Sequence, residues 1–183
     1  MISLRANNRS SQQFRDRPQL LLPVNLKFLW ATLFAALLIN MLPFGRVPWM
    51  PDLLALVIVF WGVHQSERVG VGAAFCMGVL MDVQQSALLG QHALAYALLG
   101  FFAVTIQRRL LWYPLASQAV RVFPLFLLAQ VIELGVRMVG GGTFPGWTLM
   151  LAPVIEAVLW LPATWLLLAP QRRAPERDEN RPI

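Results

Sequence analysis

The chain has 183 residues, 57% of them hydrophobic and only 13% charged, and its mean hydropathy is +0.59. Soluble domains devote about 25% of their residues to charge, so an ordinary soluble globular domain is excluded. A net charge of +6 and a pI near 11.0 could suit a phosphate-binding face, but the arginines flank apolar runs, as in loops held on the cytoplasmic side of a membrane, and no nucleic acid binding is expected.

Residues 1–23 form a polar tail with Arg5, Arg9, Arg15 and Arg17. A first apolar span follows from about Val24 to Leu42. It is longer than the core of a secretory signal, and Leu42-Pro43-Phe44-Gly45-Arg46 lacks a small-residue cleavage pattern, so an uncleaved span is expected. After a proline-rich break with Trp49 as an interfacial anchor, a second apolar segment runs from about Leu53 to Val63. His64-Gln65-Ser66-Glu67-Arg68 separates it from a third, Val69 to about Val83. Cys76, the single cysteine, lies inside this third run and reads as a small packing residue; one cysteine permits neither an intramolecular disulfide nor a Cys-x-x-Cys zinc site.

The second and third segments are short for a core about 30 Å thick, which takes about 20 residues to cross. A re-entrant hairpin would bury Glu67 and Arg68 near mid-bilayer at about 2.5–3.5 kcal/mol each. Two short spans with local thinning of the bilayer cost less. A fourth segment follows Gly90-Gln91-His92, reaches about Ile106 and closes on Gln107-Arg108-Arg109. The fifth covers about Val122 to Val139, and Gly140-Gly141-Gly142-Thr143-Phe144-Pro145-Gly146 reads as a flexible turn. The sixth runs from about Leu149 to Ala169, and residues 170–183 form a polar tail with Arg172, Arg173, Arg177 and Arg181.

The expected architecture is therefore an all-α integral membrane bundle with six spans over residues 24–169. Thirteen of the fifteen basic residues fall on one face in this topology, leaving Arg46 and Arg137 on the other. Both termini are then cytoplasmic.

No catalytic, cofactor or metal site is expected. His64 and His92 fall on opposite sides, where interfacial or capping roles suit them, and the nucleophile, zinc-protease and phosphate-loop motifs are missing. Gly70-Val71-Gly72 follows no strand and is no dinucleotide fingerprint.

Embedded carboxylates are the better lead, because ionisable groups in lipid are expensive and face the protein interior. Asp52 follows Pro51 at a helix start and suits an N-cap. Glu133 and Arg137 are four apart on one helix face and suggest mutual neutralisation. Glu156 has no partner within a turn and lies between Pro153 and Pro162, which could open the sixth helix. Gly70, Ala74 and Gly78 line one face of the third helix and invite close approach by another. Asp82 continues that line, either near the outer interface or held at the end of a tight seam.

Several segments together resemble the MreD family of rod shape-determining proteins. They are Pro51-Asp52-Leu53-Leu54, Glu67-Arg68-Val69-Gly70, Gly78-Val79-Leu80-Met81-Asp82 and Leu89-Gly90-Gln91-His92-Ala93-Leu94-Ala95-Tyr96, in that order. The resemblance extends over roughly residues 20–170. It implies a non-enzymatic inner-membrane component of the cell-elongation machinery. The partners it implies are MreC, the actin-like MreB, the glycosyltransferase RodA and a class B penicillin-binding transpeptidase. It also implies a fold similar to the S components of energy-coupling-factor transporters. That fold supplies an alternative, a vitamin-binding transporter subunit, for which Ala31 and Ala35 offer a small-residue docking pair. The polar set expected inside the bundle is thin for a ligand pocket.

Overall fold

The computed structural model describes residues 25–42 and 49–171. The N-terminal tail, Arg46 and the C-terminal arginines lie outside the described residues. Six helices follow in order: α1 (Leu26–Met41), α2 (Leu53–His64), α3 (Val71–Gln85), α4 (Gln91–Leu110), α5 (Leu115–Val139) and α6 (Leu151–Leu168). A 3-10 turn, Trp147–Met150, leads into α6, and no strand occurs among the described residues. Asn25–Leu167 pack as one compact unit.

Among the described residues, three stretches are long and apolar enough to cross a membrane: Gln91–Leu110, Leu115–Val139 and Trp147–Gln171. Helices α1 and α2 are apolar but shorter. At 1.5 Å per residue, the 12 residues of α2 reach only about 18 Å. Every residue from Leu54 to Val63 is nevertheless buried. A helix that is hydrophobic all round belongs in the middle of a bundle, and α2 takes that place. Its Gly62 lets α4 approach, since a Cβ there would lie 3.0 Å from Ala103 Cβ. Phe60, Trp61 and Trp160 fill the centre without solvent exposure. Outward positions carry apolar side chains such as Phe34, Leu38, Phe75, Val158 and Leu166, as a lipid-facing surface requires.

The small-residue line on α3 faces α4. A Cβ on Gly78 would collide with Ala93 and lie 2.7 Å from the His92 carbonyl carbon, so the two backbones touch there. Further along, a Cβ on Gly100 would lie 3.0 Å from Ala74 Cβ and 3.6 Å from the Gly70 carbonyl oxygen. Gly70 itself precedes the first turn of α3.

Three expectations need correction. Cys76 is exposed, not packed, because the buried line of α3 runs through Ala74, Met77, Gly78 and Met81. Helix α5 starts seven residues before Val122, directly after Pro114. Its polar first turns are held by Gln118, which donates to the Tyr113 carbonyl (2.9 Å) and accepts from Trp160 Nε1 (3.3 Å), and by Arg121 over the Tyr113 ring. Helix α6 remains continuous through Pro162, and Pro153 lies in its first turn, where a missing N–H costs nothing.

Candidate functional site

One end of the bundle concentrates the polar groups. The last residues of α1, the stretch leading into α2, the end of α3, the start of α4 and the latter half of α5 surround a cavity of about 960 Å³. Successive helices therefore enter and leave this end in alternating directions.

Asp52 is the hub. Its side chain caps α2 by accepting from Ala55 N (3.0 Å), as the Pro-Asp start implies. The same oxygen accepts from Asn40 Nδ2 at 2.6 Å, and the other oxygen accepts from the Tyr96 hydroxyl. The Asp52 backbone N–H donates to Glu156 Oε1 at 2.8 Å, and Asn40 Oδ1 accepts from Leu53 N at 3.3 Å. Helices α1, α2 and α4 are thus tied to the Asp52 carboxylate, and α6 to its backbone N–H. Hydrogen bonds to charged groups contribute about 1.5–3 kcal/mol each, and a network satisfied at every member fixes one arrangement of the helices.

Asp82 has a different task. From the last turn of α3 it accepts from Gly90 N (2.8 Å), His92 N (2.8 Å), Ala93 N (3.3 Å) and His92 Nδ1 (2.8 Å). A carboxylate is poorly placed at the C-terminal end of its own helix, but here it meets the free N–H groups and positive end of α4. Because an ionised carboxylate only accepts, the His92 proton sits on Nδ1. The intervening turn needs Gly90 at φ +105 and Ser86 at φ 50.

Glu133 and Arg137 line the cavity from α5. The sequence suggests that they neutralise each other; the structure shows no ion pair between them. Glu133 makes no hydrogen bond to any described residue, and Arg137 is exposed. The Arg137 side chain runs across Gly142, where a Cβ would lie 2.7 Å from its Cγ. Gly140 is filled in the same way by Leu88, whose side chain a Cβ there would strike.

The family described as rod shape-determining protein MreD matches residues 19–169, which include all six helices. The chain belongs to the MreD family. The rod shape-determining protein MreD of Haemophilus influenzae is 27% identical over 135 residues, covering 72% of this chain and 80% of that one. No solved structure matches. This MreD-family chain is therefore a membrane component of rod-shape determination.

The segments that carry the MreD resemblance now have physical roles. Pro51-Asp52 supplies the hub and Tyr96 one of its donors; Gly78 and Asp82 close α3 onto Gly90, His92 and Ala93. Among the sequence candidates, Asp52 and Glu156 are brought together, Gly70, Ala74, Gly78 and Asp82 form the α3–α4 closure, and Glu133 and Arg137 line the cavity beside Asp52 without bonding to either group. Asn40, Tyr96 and His92 complete the site and were missing from that set. Asn40 is a lone amide near the end of an apolar run, a signal available in the sequence. Tyr96 and His92 look like ordinary core and interfacial residues until the fold is known. Among the described residues, no group of three or more His, Cys, Asp and Glu side chains could hold a metal.

Proposed function

We propose that this chain is a non-enzymatic component of the cell-elongation machinery that acts through partner contacts. MreC is the first partner, and MreB, RodA and a class B penicillin-binding transpeptidase are engaged through it or directly. The observation that carries this reading is the family match over residues 19–169, which takes in every described helix. The structure of the polar end favours it too. Asp52, Glu156, Gly70, Ala74, Gly78 and Asp82 are spent on holding helices to one another, which leaves outward helix faces and the tails for partners.

The same proposal includes six membrane spans, cytoplasmic termini, an inner-membrane location and a fold akin to the transporter S components. Support for the spans comes from the alternating helix ends around the cavity and from the enclosure of α2, which removes the need for a full-length lipid-facing helix. Reporter fusions after Arg109 are expected to be cytoplasmic and fusions near Gln85 periplasmic. The reverse pattern would overturn the topology.

Depleting the protein in its host is expected to round the cells, and the full chain is expected to co-purify with MreC from membranes. The vitamin-transporter alternative gains nothing from the relatives, and vitamin uptake is expected to stay normal. Rod shape retained after depletion, without recovery of MreC, would overturn the proposal.

A further inference from the structure

The cavity at the polar end is fitted to a ligand of a definable kind. Of the four embedded carboxylates, Asp52, Asp82 and Glu156 are occupied by donors within the protein, whereas Glu133 has none. A second acceptor in the same wall is also vacant: Gln84 Oε1 is buried without a hydrogen-bond partner. Two unfilled acceptors call for a donor, and a primary ammonium offers three. One helical turn from Glu133, Arg137 lines the cavity without pairing to it. Its planar fork of donors matches the oxygens of a phosphate. Side chains four apart on a helix stand about 5–6 Å apart at Cβ, a spacing that suits an ammonium and a phosphate joined by a short link.

The cavity borders a second, apolar space. Leu88 and Gly140 are shared with an adjoining groove of about 450 Å³, walled by Leu89, Ile132, Val136 and Val139. Gly135 forms part of its floor, and no atom lies within 4 Å of where its Cβ would be. The groove runs along α5, a helix long and apolar enough to cross the membrane. A chamber with an acidic and a basic group one turn apart on α5, adjoining an apolar groove, is complementary to an amphiphile with a zwitterionic head. Asp52 lies in the same lining as Glu133, which favours the ammonium on that side.

We propose that this end of the bundle binds an aminophospholipid. The ammonium is held by Glu133 and Gln84, the phosphate by Arg137, and an acyl chain lies in the groove over Gly135. The site stands independently of the partners proposed above.

The test uses the full chain, purified and delipidated, titrated in detergent with dioleoyl phosphatidylethanolamine or dioleoyl phosphatidylglycerol and read by native mass spectrometry. We expect at least a ten-fold preference for the ethanolamine lipid. Glu133→Gln and Arg137→Gln should each remove most of it while the protein stays folded. Gly135→Leu should weaken both lipids by filling the groove; if that variant does not fold, Val139→Trp, at a residue 91% exposed, fills it from the rim. Equal binding of the two lipids by the unmodified chain would overturn the proposal, as would a preference surviving both charge replacements. Glycerophosphoethanolamine binding as tightly as the lipid, and unchanged by Gly135→Leu, would mean a site for a soluble zwitterion and would also overturn it. So would displacement of the lipid by MreC together with protection of Gly135→Cys from maleimide in a Cys76→Ser background, which would assign the groove to a partner helix.

Discussion

Asp82 and Glu133 lie toward the C-terminal ends of their helices, at the same end of the bundle, and their surroundings are opposite. Asp82 accepts four hydrogen bonds, all from the short stretch between Gly90 and Ala93. Glu133 accepts none from the described residues. The difference arises from the connection that leaves each helix. After α3 the chain turns at once and presents the fresh N-terminal N–H groups of α4, backbone against backbone at Gly78. After α5 a glycine-rich stretch, with Gly141 at φ +81 and Gly146 at φ +100, intervenes before the 3-10 turn and α6. None of its N–H groups reaches Glu133. A carboxylate near a helix end becomes structural when the next helix starts within its reach, and otherwise stays available.

The comparison breaks first at Gly78. Gly78→Leu would place side-chain atoms where the backbone of Ala93 already lies, and no rotamer relieves a clash with backbone. We expect loss of most folded protein, measured as the monodisperse fraction recovered in detergent; near-normal recovery would mean that α3 and α4 do not touch there. The next effect belongs to Asp82. Asp82→Ala leaves the His92 ring and the first N–H groups of α4 unpaired in a site where Asp82 is 1% exposed. Orphaned buried donors cost about 1–3 kcal/mol each, so a loss of about 3–5 kcal/mol is expected in denaturant unfolding. Asp82→Asn keeps an acceptor and should lose about half as much. Equal losses for the two would mean that charge, not hydrogen bonding, holds the turn.

The range of each interaction determines how much of this was legible in the sequence. Apolar runs located six helices, with α3 and α4 bounded within a few residues, because composition along the chain is local. The cap by Asp52 was legible since Pro51 and the apolar run after it mark a helix start. The small-residue seam was legible because Gly70, Ala74 and Gly78 recur at a helical spacing. The partner of that seam was not, since Ala93 and Gly100 look like any small residues in an apolar helix. Glu156 bonds the Asp52 backbone across 104 residues, and no local pattern encodes that distance. Helix α5 begins before its apolar run because Gln118 and Arg121 interrupt the hydrophobicity there, whereas the fold gives both a partner. The i, i+4 spacing of Glu133 and Arg137 misled for a related reason: spacing permits a contact, but Arg137 is drawn over Gly142 instead.

That last pair yields the smallest expected effect and the sharpest contrast with Asp82. Were Glu133 and Arg137 mutually neutralising, either single replacement would strand a charge, and the double replacement would cost less than the two singles together. The geometry predicts otherwise. Arg137 is exposed and pairs with no carboxylate among the described residues, so Arg137→Ala should change stability by about 0.5 kcal/mol or less. Glu133 has no partner to lose, and Asp52 and Glu156 are carboxylate neighbours, so Glu133→Gln should cost no more than about 1 kcal/mol and could stabilise. In a double-mutant cycle read by unfolding in lipid-free detergent, the effects should add within about 0.3–0.5 kcal/mol. A coupling above about 1 kcal/mol would show that the two charges meet after all. In that event Glu133 would be a structural carboxylate like Asp82, and the contrast between the two carboxylates would vanish.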